Sequence, residues 1–256
     1  LKWKKRYVSY SKMRRKTKKK RRALTRSLLL LLDKLGGEVD RLEARHAATM
    51  TKDQYRRRAT AKQIFAQQHG YFHRGEKPKD RIVSMDRPYI RPIVRGKEIK
   101  PVEFGAKVNK FQIDGISFIE HLSFNAFHEG NRCQDTIFKA QRLTRTKTKL
   151  AGADAIYATN KNRRFATKYG IRTDFKRKGR AGKHEKQRSK LAGAITKERA
   201  SRLEGSFGKD KEHYHLKRIR ARTRATEVLW IFFGIHTGNA LEIGRRMSAK
   251  ALEKAA

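Results

Sequence analysis

Glu204 stands in a basic stretch, KERASRLEGSFGKDKEHY (197–214), and Asp154 stands near the end of a short apolar one, KLAGADAIY (149–157). An acid at a strand end and a second on a later helix can bring oxygen ligands together over a phosphodiester. Hard oxygen donors suit Mg2+ or Mn2+, and two such ions about 3.5–4 Å apart activate the attacking oxygen and stabilise the leaving one. Lys211 follows Glu204 by almost two helical turns, so ammonium and carboxylate project from one face. Leu191, Ile195, Leu203 and Phe207 recur at spacings of four and eight and give that helix a side to dock on a core. Gly205 and Gly208 each cost about 1 kcal/mol against Ala in a helix, which predicts that a backbone or ligand comes close there. The plainer reading of the same stretch is a solvated helix with one acid among many bases.

The elements that must hold these groups can be read in order. Residues 1–27 carry 14 lysines and arginines and no acid, with Trp3, Tyr7 and Tyr10 interleaved. Such a run either contacts phosphates and stacks on bases or is a solvated end. Leu28, Leu32, Leu35, Val39 and Leu42 alternate spacings of four and three, a coiled-coil stripe. Thr51 and Gln54 form a capping box that opens a second helix, expected to stop before Gly70. Together, residues 28–75 read as an antiparallel helical hairpin.

All four prolines fall between Pro78 and Pro101, marking a change from helix to extended chain and a boundary near residue 75. Two β-branched and aromatic runs, 101–113 and 116–124, flank Asp114-Gly115, a two-residue hairpin signal. Residues 125–145 read as helix and 149–157 as a short buried strand ending at or near Asp154. Asn160 opens a helix that Gly170 stops, and 171–175 forms another strand. Residues 176–190, KRKGRAGKHEKQRSK, read as a flexible phosphate-contacting loop. A last apolar helix over 228–243 should bury Trp230, Ile231, Phe233 and Ile235, leaving 246–256 as a tail.

Composition restricts the partners. The chain has 66 Lys plus Arg against 24 Asp plus Glu, a net charge of +42, which calls for a polyanion. A hydrophobic content of 37% with 13 Phe, 8 Tyr and 2 Trp is enough for a core over part of the chain. The single cysteine, Cys133, excludes an internal disulfide and a Cys-based zinc site, and fits a cytoplasmic setting. The apolar runs 28–32 and 228–235 fall far short of the roughly 20 residues of a membrane helix. The basic start has no apolar core of a signal peptide, and a first residue other than Met is consistent with a chain that begins partway through a longer protein.

The wording of four stretches, DRIVSMDRPYIRPIVRGKEIKPVEFGAKV, IDGISFIEHLSFNAFHEG, ADAIYATNKNRRFATKYGI and RLEGSFGKDKEHY, resembles the DDE transposases of bacterial insertion sequences over residues 75–245. The resemblance implies an α/β, ribonuclease H-like catalytic domain (76–245) that cuts and rejoins DNA at transposon ends with Mg2+ or Mn2+. It implies that Asp154 is the second acid of the catalytic triad and Glu204 the third, both metal ligands. Lys211 matches a lysine that often follows the last acid. The Tyr-x-x-Arg that precedes that acid in many members is missing, with Lys197 and Ala200 in its place and Arg199 one position away. The family's first acid lies on the first strand of the fold, and no strand with an Asp is legible in 1–27. The chain therefore resembles the carboxyl-terminal part of a transposase, with the first strand and first ligand missing. Asp114 is the obvious substitute, although an Asp-Gly turn explains it fully.

Lys178, Arg180, Lys183, Arg199, Arg202, Lys211 and Tyr214 are the expected DNA contacts, with transposon terminal repeats and target DNA as partners and a homodimer as the assembly. Lysine and arginine at such places position the phosphate backbone without reading sequence. His213 and His215 read as surface residues. The alternative from another class is a non-enzymatic, basic RNA-binding protein of ribosomal type, which would have no need for Asp154 and Glu204 to meet.

Overall fold

The basic amino-terminal run is helical. Lys and Arg are good helix formers, and residues Lys2–Lys12 form α1 and Lys18–His46 form α2. Arg6 Nη1 donates to Ser27 Oγ at 3.0 Å and links the two. The computed structural model describes residues 2–46, 50–94 and 102–255 and divides into two compact units, Leu1–Gly105 and Ala106–Ala256.

In the first unit, Thr51 caps α3 (Lys52–Arg74) through a reciprocal box: Gln54 N donates to Thr51 Oγ1 at 3.3 Å, and Thr51 N donates to Gln54 Oε1 at 2.8 Å. The helix runs on through Gly70 and stops at Gly75, whose φ of 75° is the left-handed cap that glycine adopts without strain. Helices α2 and α3 lie antiparallel: Arg58 of α3 pairs with Asp40 and Glu43 of α2, while Arg22, near the start of α2, sits over the ring of Phe72, near the end of α3. Leu35 and Leu42 of the expected stripe are exposed, and Leu29 is the leucine that is buried. A short antiparallel pair, β1 (Pro92–Val94) with β2 (Val102–Phe104), completes the unit. Pro101 lies outside the described residues. The strand expected from Pro101 to Ile113 is divided at Gly105 (φ 122°), where the two units also divide.

The second unit opens with the hairpin of β3 (Lys107–Ile113) and β4 (Ile116–Ser123). Asp114 (φ 46°) and Gly115 (φ 76°) both have positive φ, as a two-residue primed turn requires. A 3-10 turn, Glu129–Arg132, precedes α4 (Cys133–Thr144), so helix covers only part of 125–145. Strand β5 is only Leu150–Ala151 and pairs in parallel with β6, Arg172–Thr173. Both are shorter than expected, and Asp154 lies beyond β5 at the start of a 3-10 turn, Ala155–Tyr157. Helix α5 (Asn160–Lys168) is capped by Thr159, and Gly170 (φ 64°) follows its end. Helix α6 (Glu185–Glu198) takes in the end of the stretch expected as loop. It leads through a π-helical turn, Arg199–Glu204, into α7 (Gly205–Glu212). Helix α8 is Arg224–Ala255, so the expected tail is helical; Ile231 and Ile235 are buried, and Phe233 is 62% exposed.

Helices cover both faces of these strands. Ala151 packs on Ile137 of α4, Ala166 of α5 and Ile171. Its neighbour Gly152 turns to the opposite face, where a Cβ would come within 2.7 Å of Ile195 in α6. The same alternation holds in β3: Asn109 Nδ2 donates to Thr136 of α4, and Lys110 reaches Asp210 of α7. Asn239 of α8 bonds both the N–H and the C=O of Ser117 in β4, each at 2.8 Å. Among the described residues, β3 pairs only with β4 and β5 only with β6. Between these two pairs lies a cavity of about 820 Å³ lined by β3, β5, α4, α5, α6 and α7.

Candidate active site

A polar scaffold holds the turn after β5. Tyr157 donates its O–H to Asn109 Oδ1 at 2.5 Å, and Asn109 Nδ2 donates to Glu120 Oε2 at 2.8 Å. Arg132 pairs with Glu120 and keeps that carboxyl below its usual range, while burial pushes the Tyr157 phenol well above its own. Asn162 Nδ2 donates to Gly130 O at 2.7 Å and to Tyr157 O at 2.8 Å. The backbone that carries Asp154 is thus tied to β3, β4, α4 and α5.

Asp154 and Glu204 meet at one atom. Arg199 Nη1 donates to Asp154 Oδ1 and, at 2.6 Å, to Glu204 Oε1. Two oxygens hydrogen-bonded to one nitrogen lie within about 6 Å of each other. Arg199 Nε also lies 3.4 Å from Asp174 Oδ2, close enough to attract it but without a hydrogen bond. Asp174 is nearly enclosed, with its side chain 4% exposed, and its Oδ1 accepts from Ala153 N at 3.0 Å. Three carboxylates, from the ends of β5 and β6 and from the π-helical turn, therefore face one guanidinium. Asp174 is absent from the residues singled out in the sequence. The signal was present, since it is the only acid between Asp154 and Glu185 and directly follows the second of two paired strands.

Asp114 is not drawn into this group. Its carboxylate accepts from Arg202 Nη1 at 3.1 Å and from Arg246 Nη1 at 2.9 Å, so two arginines fasten the β3–β4 turn. Arg199, expected on DNA phosphate, is instead engaged by acids with its side chain 17% exposed. The Tyr214 ring rests against Gly238 of α8, which leaves it half-buried and not free to stack on a base. Lys178, Arg180, Lys183, Arg202 and Lys211 are exposed. Lys178 bonds Asn160 Oδ1 at 2.9 Å, and Arg177 pairs with Glu185, so the loop before α6 is anchored at two points. Nothing among the described residues comes within 4 Å of a Cβ built at Gly205 or Gly208. No neighbouring backbone supplies the close approach expected there, and both glycines face open space.

The donor set is oxygen only, which suits a hard divalent cation. Among the described residues no group of three Asp, Glu, His or Cys side chains is placed to hold a metal ion. Asp154 and Glu204 are the two exposed oxygen donors that Arg199 brings together.

Comparison with known families places residues 152–234 in a match to the transposase DDE domain. The match takes in Asp154, Asp174, Arg199 and Glu204. That family implies transposition on DNA with divalent metal ions. No curated protein and no solved structure matches the chain. Among the described residues no helix is long and apolar enough to cross a membrane.

Proposed function

We propose that residues 106–256 are the catalytic unit of a DDE-type DNA transposase, in an incomplete ribonuclease H-like form that lacks its first strand and first acid. The observation that carries this reading is the meeting of Asp154 and Glu204 on Arg199, inside the stretch similar to transposase DDE domains. An RNA-binding protein of ribosomal type has no use for that convergence. Asp154 and Glu204 are the ligands for Mg2+ or Mn2+, which when bound would polarise a phosphodiester oxygen and lower the pKa of a water. Arg199 holds the two carboxylates together in the ion's absence. Lys178, Arg180, Lys183, Arg202 and Lys211 hold the DNA backbone of transposon ends and target beside them, and a homodimer would bring two ends together.

With only two ligands the chain alone is not expected to cut DNA, because the charge on either the attacking or the leaving oxygen goes unstabilised. Two measurements test this. Mn2+ titration followed by electron paramagnetic resonance should find a weak site that Asp154→Asn and Glu204→Gln each abolish; binding indifferent to both variants would sink the assignment. Strand cleavage of transposon-end DNA with Mg2+ or Mn2+ should be absent; cleavage that Glu204→Gln removes would show the unit to be complete, and its loss in Asp114→Asn as well would make Asp114 the third ligand.

A further inference from the structure

Helix α8 carries a second apolar stripe on the side away from its buried face. Glu227, Ile231 and Ile235 are buried. About half a turn round the axis, Leu229, Phe233, His236, Ala240, Ile243 and Met247 follow one another at alternating spacings of four and three. Leu229, Phe233, Ile243 and Met247 are between 46% and 68% exposed, and exposed Phe232 widens the stripe. A contiguous apolar surface of this kind marks a contact with another molecule. Near the middle its residues are small: Ala240 is exposed, and a Cβ built at Gly244 would meet no described atom within 4 Å. A second helix backbone can come close there.

The order of residues along the stripe is complementary to itself. When two helices run antiparallel about a two-fold level with Gly238, Leu229 faces Met247 of the second copy, Phe233 faces Ile243, and the His236 ring faces the small Ala240. Leu229, Phe233 and Thr237 also wall a cleft of about 490 Å³ shared with His213 and His215, and the same two-fold brings exposed Leu241 of the second copy level with it. Charge favours the same direction. A parallel pair would set Lys250 beside Lys250 and Lys254 beside Lys254, whereas an antiparallel pair sets Lys250 level with Thr226 and spreads Glu253 and Lys254 of one copy over Arg222 and Arg224 of the other. We infer that this face of α8 is where two copies of the chain pair, antiparallel through residues 229–247. The contact would be about 27 Å long and about 11 Å wide, a footprint of roughly 300 Å² a side, well under the roughly 800 Å² of a standard complex. The pairing is therefore weak and reversible. Each copy carries a net charge of +42, so the two repel. Salt that shortens the screening length from about 10 Å at 0.1 M to about 3 Å at 1 M should strengthen the pairing. Salt weakens a nucleic-acid contact, so the sign of its effect separates the two.

This names the face by which the homodimer of the proposed transposase forms, and its test uses neither DNA nor metal, so either reading can fail alone. Sedimentation equilibrium of the full chain, at micromolar to submillimolar concentrations, should show reversible dimers that grow with salt. Phe233→Glu and Ile243→Glu, both at exposed positions, should each weaken association at least tenfold and leave the circular dichroism and thermal midpoint unchanged. In a Cys133→Ser background, Leu229→Cys protein mixed with Met247→Cys protein should form a disulfide-linked pair much faster than either forms alone. A chain that stays monomeric at every concentration and salt, or an association indifferent to both glutamates, would overturn the proposal. So would either cysteine variant cross-linking to itself as fast as the mixture, which would mean a parallel pair. Binding to anionic lipid vesicles by a chain that stays monomeric, lost in Phe233→Glu, would make the stripe a membrane face instead.

Discussion

Lys110 of β3 and Asp210 of α7 form an ion pair that is almost sealed from solvent, the side chains being 1% and 9% exposed. Ser206 Oγ accepts a second bond from the ammonium at 2.8 Å, and the Phe207 ring lies 4.2 Å from it. Burial pushes the Lys110 pKa down while Asp210 pulls it back up. Removing one partner strands the other charge. Lys110→Met should therefore cost about 3–5 kcal/mol in denaturant unfolding, and adding Asp210→Leu should recover most of it. A double variant that lost as much as Lys110→Met and Asp210→Leu lose together would mean that the charges are not coupled.

Arg199 supplies the positive charge that Asp154 and Glu204 share, so it competes with any metal ion for them. Their carboxylates are half-exposed, which limits the pair's worth to about 1 kcal/mol or less. Arg199→Gln should then tighten Mn2+ binding several-fold, read by titration at low ionic strength. Weaker binding in that variant would show that Arg199 builds the site and does not compete for it.

DNA binding should fall steeply with salt and depend little on sequence. Each phosphate neutralised adds about 0.9 to the slope of log affinity against log salt. Replacing Lys178, Arg180 and Lys183 by Ala should reduce that slope in steps of this size, measured by fluorescence anisotropy on unrelated duplexes. Tyr214→Phe should leave affinity unchanged, because the ring is held against Gly238.

The start of α6 should loosen in acid. Hydrogen bonds from Arg188 and then Arg177 hold the Glu185 carboxyl down at about 2, against an ordinary 4.5. A lowered carboxyl pKa stabilises the fold above the ordinary value, and that contribution drains away as pH falls from about 4.5 toward 2. Hydrogen exchange in the first turn of α6 should quicken over that window, and Glu185→Gln should remove the pH dependence. A flat profile in the unsubstituted chain would contradict it.

The local signals in the sequence were those set by neighbours a few residues apart. The Thr51–Gln54 box and the Asp114-Gly115 turn could be read because one short stretch contains the whole interaction. Strand lengths could not, since among the described residues β5 pairs only with β6 and only over Leu150–Ala151. Glu185 stands inside a run of cations, and its ion pairs with Arg177 and Arg188 lie at the start of the helix that takes up part of the expected loop. Asp154 and Glu204 were legible as candidates, but their common contact with Arg199 spans 45 residues and depends on how α6 crosses the end of β5. The sequence offers one signal for Asp174, the only acid between Asp154 and Glu185, and its approach to Arg199 depends on how α6 crosses the end of β6.

The π-helical turn Arg199–Glu204 also acts as an angular spacer. A turn bonded i to i+5 holds one residue more than an α-turn, and each residue advances an α-helix by about 100°. Deleting Ala200, exposed within that turn, would let the segment relax to plain α-helix and swing everything beyond it round the axis. Either Arg199 would keep Asp154 and Asp174, or Glu204 and the Lys110–Asp210 pair would keep their places, but not both. The extra residue is what phases the arginine at the start of the turn with the acid at its end and the buried anchor beyond, so insertions and deletions here should be tolerated far less well than substitutions.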